Sequence, residues 1–178
     1  VLSALLINPE LPVDELIKSY FNQEYPVSKK WLYDYYTELE NNAQSGKRLG
    51  LYVGIRESEK GFLYPEKFIK FYDEMGDYVS DAKGKERKKL HELQTALSYT
   101  RLEMGRNHSY DPYGYAQRNG KQIQPTPQVR KWLTQLKEHH AFTGMEYYNE
   151  SADEIDYYIK EWEQYILCLL YTSDAADD

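Results

Sequence analysis

The chain has 178 residues, 41% hydrophobic and 29% charged, with a formal net charge of −7. That balance belongs to a globular chain rather than a disordered one, and the acidic excess argues against a general nucleic-acid binder. No apolar run approaches the length of a membrane span, and no signal peptide is visible.

Val1 to Ile7, VLSALLI, opens in the middle of an apolar run and reads as the end of an element whose start lies upstream. Asn8-Pro9-Glu10-Leu11-Pro12 breaks it, because each proline disfavours helix in the residue before it. A helix is expected from Val13 to Phe21, with Pro12 near its start and Asp14 and Glu15 complementing the dipole. Leu16, Ile17, Tyr20 and Phe21 form its inner stripe. After Pro26 a second helix runs from Val27 to Ala43, capped by Ser28, with Trp31, Leu32, Tyr35, Tyr36 and Leu39 at helical spacing. Gln44-Ser45-Gly46 ends it. Leu49 to Arg56, LGLYVGIR, reads as a short extended segment, and Ser58 to Gly61 as a polar turn. Pro65 then opens a third helix to Val79, with Phe68, Phe71, Tyr72, Met75 and Val79 inward.

Lys85 to Met104, KERKKLHELQTALSYTRLEM, is the stretch the rest is organised around. Leu90, Leu93, Ala96, Leu97, Thr100 and Met104 share one helical face, while Thr95, Tyr99 and Leu102 lie opposite. A helix apolar on both sides is buried by neighbours on both sides. Its first turns are a solvated basic run relieved only by Glu86, His91 and Glu92 read as a surface pair, and Gly105 closes it in the left-handed conformation.

Arg106 to Thr126 is the longest stretch without a period, and such loops are often functional. Tyr110, Tyr113 and Tyr115 stand close around Pro112 and Gly114, with Arg106 and Asp111 nearby. Aromatic rings stack on the apolar faces of sugars while polar groups bond hydroxyls, so these five are the glycan-contacting candidates. The plainer alternative is a loop pinned onto the helices by its rings. Gln128 to His140 is the next helix, with Val129, Trp132, Leu133 and Leu136 inside and Phe142-Thr143-Gly144 at its end. Met145 to Tyr148 is a brief extended piece. Ser151 to Glu154 reads as a capping box for a last helix carrying Ile155, Tyr158, Ile159, Trp162 and Ile166.

None of His91, His108, His139 and His140 stands in a metal-binding pattern, and adjacent histidines on a helix point apart. Glu146 and Glu150 are the carboxylate pair best placed outside a helix, and an ordinary turn accounts for them. No nucleophile elbow, phosphate loop or dinucleotide fingerprint appears. No catalytic, metal-binding or cofactor-binding residue is assigned, and no cofactor is expected. The fold class expected is mainly α, an irregular antiparallel helical bundle with one or two short extended segments. Nineteen tyrosines are the compositional outlier, and packing is their favoured use.

The order of segments resembles the C-terminal helical part of a bacterial family, domain of unknown function 4838. NPELPVDELIKSYFNQEYP resembles the segment that follows that family's barrel, with Tyr25-Pro26 where Tyr-Gly is usual. PEKFIKFYDEMGDYV and KERKKLHELQTALSYTRLEM resemble its next two helices, with Leu93, Leu97, Tyr99 and Leu102 at its apolar and tyrosine positions. KWLTQLKEHHAFTGMEYYNE resembles a later helix and the piece after it. The resemblance implies a glycoside-hydrolase-like (β/α)-barrel upstream of residues 1–167, holding the active site, in a periplasmic or extracellular protein. It implies that barrel as partner; an oligosaccharide is the candidate ligand of the Tyr-rich loop, and charge and composition point to no nucleic acid and no membrane span. The rival reading is an independent helical module binding glycan or protein for a bacterial surface uptake system. Tyr99 and Leu102 are then where a surface awaiting the barrel is expected, while Leu90, Leu93, Leu97 and Met104 are buried within the chain.

Cys168 to Asp178, CLLYTSDAADD, resembles the translation of a transposase adapter used in sequencing libraries. On that reading 168–178 is a non-native tail, and Cys168, the only cysteine, says nothing about redox compartment. Without Asp174, Asp177 and Asp178 the acidic count falls from 29 to 26 against 22 basic residues, so −7 becomes −4.

Overall fold

The 3.6-residue spacing of apolar positions becomes helix over most of the chain. The computed structural model describes residues 2–43, 54–110, 112–148 and 151–174. Among them are α1 (Leu2–Ile7), α2 (Val13–Glu24), α3 (Lys29–Ala43), α4 (Ile55–Glu59), α5 (Pro65–Asp81) and α6 (Gly84–His108). A hairpin of β1 (Ala116–Asn119) and β2 (Gln122–Pro125) follows, then α7 (Pro127–Thr143) and α8 (Ile155–Asp174). The architecture is mainly α with one short antiparallel sheet, and no described helix is long and apolar enough to cross a membrane.

Three helices follow their apolar stripes closely. In α5, Phe68, Phe71, Tyr72, Met75 and Val79 are all buried. In α7, Val129, Trp132, Leu133 and Leu136 are buried, and Gly144 at φ 66° ends the helix. In α8, Ile155, Tyr158, Ile159, Trp162 and Ile166 are buried. Because its stripe spans more than one neighbour, α5 serves two cores. Phe68 and Tyr72 join the larger one, shared with α6, the hairpin, α7 and α8. Phe71, Met75 and Val79 join Leu32, Ala82 and Leu90 in the smaller. There Tyr35 stacks on Phe71 at 3.6 Å, Phe71 on Trp31 at 4.0 Å, and Trp31 on Tyr78 at 4.5 Å.

The central helix departs from its expected pattern. Leu90 and Met104 are buried, but Leu93, Leu97 and Thr100 are only half-buried and Ala96 is exposed. Leu102 is fully buried, so it is no open surface, and Tyr99 is half-buried against Tyr148 and Tyr158. The buried face instead carries Glu86, His91, Gln94, Thr95, Ser98 and Arg101. Polar side chains can occupy a core when neighbours satisfy them, and a stripe drawn from leucines alone misses that. His91 therefore lies against His139 rather than at the surface. Glu86 is not solvated either: it accepts the Ser28 N–H at 2.9 Å, the Val27 N–H at 3.1 Å and the Ser28 hydroxyl at 2.8 Å. A carboxylate so placed suits the positive N-terminal end of α3. Ser28, expected as a cap, is itself held by Glu86.

Gly105 does not end α6, which continues one turn to His108 and stops at Ser109, φ 59°. A Cβ on Gly105 would lie 2.9 Å from Trp132 Cζ3, so the glycine is there for close packing of α6 on α7. Elsewhere, α2 runs on to Glu24 and has no buried residue, Tyr20 being exposed. Positions 49–53 of the extended segment lie outside the described residues, while Ile55 and Arg56 open α4, which Ser58 and Glu59 continue. The aperiodic stretch after α6 holds the hairpin, turned at Gly120, φ 63°. The capping box falls too early: Glu154 pairs with Tyr147 in an isolated bridge, and α8 begins after it.

Two substitutions test this packing. Gly105→Ala should gain about 1 kcal/mol of helix propensity, yet overpacking against Trp132 costs about 1–3 kcal/mol. We expect net destabilisation in urea unfolding; a stabilised variant would mean that Trp132 yields freely. Glu86→Ala strands the Val27 and Ser28 N–H groups before α3 and should cost about 2–4 kcal/mol, with Glu86→Gln intermediate because one acceptor oxygen remains.

Candidate functional site

Arg101 organises the region around the Tyr-rich loop. Its guanidinium lies 3.5 Å from the centroid of the Trp132 ring, and Nη1 donates to the Tyr113 carbonyl at 3.1 Å. One side chain therefore ties α6 to α7 and to the loop. The planar, permanently charged guanidinium suits both tasks.

Loop closure adds to this. Tyr115 N–H donates to the Gly105 carbonyl at 3.2 Å, Ala116 N–H to that of Ser109 at 3.0 Å, and Thr126 N–H to that of Tyr115 at 2.8 Å. A Cβ on Gly114 would lie 2.1 Å from Ser109 O, so only glycine lets the strands cross there. Thr126 then caps α7, its Oγ1 accepting the Val129 N–H at 3.3 Å.

Between loop, hairpin and α7 lies a cleft of about 430 Å³. Arg101 and Trp132 form its floor; Tyr110, Pro112, Gln117, Thr126 and Gln128 line its sides. None of these is a carboxylate. Aromatic rings, the Arg101 guanidinium, amides and a hydroxyl are the groups it offers.

The five candidates do not converge. Tyr110 lines the cleft and is 50% exposed. Tyr113 turns outward, its hydroxyl donating to Glu66 at 3.0 Å and its ring edge-on to His108. Tyr115 is core, 6% exposed, sharing a 2.9 Å hydrogen bond with the Tyr165 hydroxyl. Arg106 belongs to the α6–α8 seam, 3.5 Å from Glu103, 3.6 Å from Glu161 and 4.9 Å from the Trp162 ring centroid. Asp111 and Glu150 lie outside the described residues, and Glu146 is exposed. Arg101, Trp132 and Gln128 are the cleft residues that spacing alone missed. An arginine deep in the apolar half of a helix was the available signal for the first.

A smaller cavity of about 180 Å³ lies where α6, α7 and α8 meet, walled by Tyr99, Tyr148, Tyr158, Leu136, Met145 and Ile155. The Tyr158 hydroxyl donates to Glu103 at 2.7 Å, and burial pushes the Tyr99 hydroxyl up to about 12. Among the described residues no group of three or more His, Cys, Asp or Glu is placed to hold a metal ion. No family model, curated protein or solved structure matches the chain.

The two tyrosines should separate cleanly in stability measurements. Tyr115→Ala removes a buried ring and should cost about 3–5 kcal/mol. Tyr110→Ala should stay within about 0.5 kcal/mol of the parent, since its ring is half in water. Equal losses in thermal denaturation would show that Tyr110 is a core anchor too.

Proposed function

We propose that this chain is a non-catalytic helical part of a carbohydrate-active, glycoside-hydrolase-like protein, in which the cleft under Tyr110 contacts glycan. The chemistry of that cleft carries the reading. An exposed ring beside two amides, a hydroxyl and the Arg101 guanidinium suits holding a sugar. The segment resemblance adds the expectation of a barrel that performs the chemistry, in a periplasmic or extracellular parent. Large apolar side chains left exposed on the N-terminal helices, among them Ile7, Val13, Tyr20 and Tyr36, suit packing against such a body. An independent glycan-binding module is the second reading, favoured by a cleft formed from this chain's residues alone.

Titration of the chain with neutral oligosaccharides, followed by calorimetry or protein NMR, tests the cleft. We expect saturable binding that Tyr110→Ala weakens about 2- to 12-fold, the range one aromatic contact supports. Gln128→Ala should also weaken it, whereas Tyr113→Phe should not. Binding unchanged in Tyr110→Ala and Gln128→Ala would remove the cleft from the account. Glycosidase turnover by the chain alone would overturn the non-catalytic reading.

A further inference from the structure

The seam between α6 and α7 holds two histidines that neither the cleft nor the core accounts for. His91 Nδ1 and His139 Nδ1 lie 3.1 Å apart, within hydrogen-bond distance. Each residue is only 9% exposed, and the Phe142 ring covers His91 with centroids 4.0 Å apart. The Nε2 atoms of both rings are buried without a partner among the described residues. One proton shared between the two Nδ1 atoms makes the pair neutral. The donor ring then has a bare Nε2, and the acceptor ring carries its proton on Nε2. A further proton must go to the bare Nε2, which is buried with no partner among the described residues to receive the new N–H.

The charged surroundings do not compensate it. On α6, Arg87 acts on His91 with like sign, and Glu92 is already engaged by Lys88 at 3.9 Å. On α7, Glu138 is exposed, and His140 points to the other side, toward Asp156 of α8 at 3.2 Å. The strongest charge that protonation would bring near either ring is the other ring.

We propose that His91 and His139 form an acid-sensitive latch between α6 and α7, closed while the imidazole pair is neutral and released when it takes up a proton. The same seam carries the Arg101–Trp132 contact, so the latch links acidity to the wall that α7 gives the cleft.

Burial, then the neighbouring His91, lowers the His139 pKa from 6.5 to about 4; burial and Arg87 lower that of His91. The sign follows. Above the unfolded value both states are neutral and pH has no effect. Below it the unfolded chain binds protons that the folded seam refuses, so stability falls as pH drops from 6.5 toward 4. For His139 alone, the unfolding constant should rise roughly 30-fold between about pH 7.5 and pH 5.

The experiment is urea unfolding of the chain at several pH values in that range, for the wild type and for His91→Leu/His139→Leu. Replacing both partners by apolar groups leaves no orphan and should preserve folding. We expect the wild type to carry the roughly 30-fold acid sensitivity calculated for His139 and the double variant to lose it. His140→Gln, outside the pair, should retain it. Equal acid sensitivity in wild type and double variant would overturn the proposal. So would NMR titration of the folded wild type showing either ring charging near pH 6.5. Stabilisation of the wild type by zinc at neutral pH, absent from the double variant, would identify a metal site instead and sink the latch.

Discussion

The polar side of α6 fixes that helix against three others and the loop. Glu86 holds the start of α3, His91 meets α7, Ser98 meets Tyr72 of α5, and Arg101 joins α7 and the loop. Each is buried. Apolar packing is tolerant of sliding by a fraction of a turn, whereas a buried polar atom left unpaired costs about 1–3 kcal/mol. Four such attachments to different partners therefore set the rotation and register of α6, while Leu90, Leu102 and Met104 supply burial without choosing among alternatives.

The two cores divide the labour accordingly. The smaller depends on flat ring stacking around Phe71, with α3 brought to it by Glu86. The larger depends on Trp132 and Trp162, each with an arginine over its face: Arg101 at 3.5 Å and Arg106 at 4.9 Å. Both arginines leave the same helix, about one and a half turns apart, so α6 serves α7 and α8 by one device. Gly105 lies between them and permits the approach that brings Trp132 close.

Helices whose burial is decided by aliphatic and aromatic period were legible in the sequence, as α5, α7 and α8 show. The central helix was legible in position but not in orientation. Its buried residues are chosen by partners far along the chain, such as Val27 and His139, and no local period encodes those. The hairpin was missed for another reason: Ala116 to Pro125 is polar and nearly without alternation, so only Gly120 marked its turn. Of the proposed site, Tyr110 could be named from the loop. Its companions could not, because Arg101 and Trp132 come from helices whose approach depends on that same polar register.

The tyrosine excess bears on how strongly the cleft can bind. Several hydroxyls are tethered inside the fold: Tyr72 donates to Gln135 at 2.9 Å, Tyr158 to Glu103 at 2.7 Å, and Tyr115 is tied to Tyr165. These rings hold polar partners at the core boundary, a role in which phenylalanine would leave a part-buried partner without its hydrogen bond. Of the three loop tyrosines, Tyr110 is the one that lines the cleft. A single ring supplies about 0.5–1.5 kcal/mol beyond its buried area, and the Gln117 and Gln128 amides must first give up water. The sum is small beside the roughly 4 kcal/mol that millimolar affinity requires. Any ligand of this cleft should therefore saturate it only at millimolar concentrations or above.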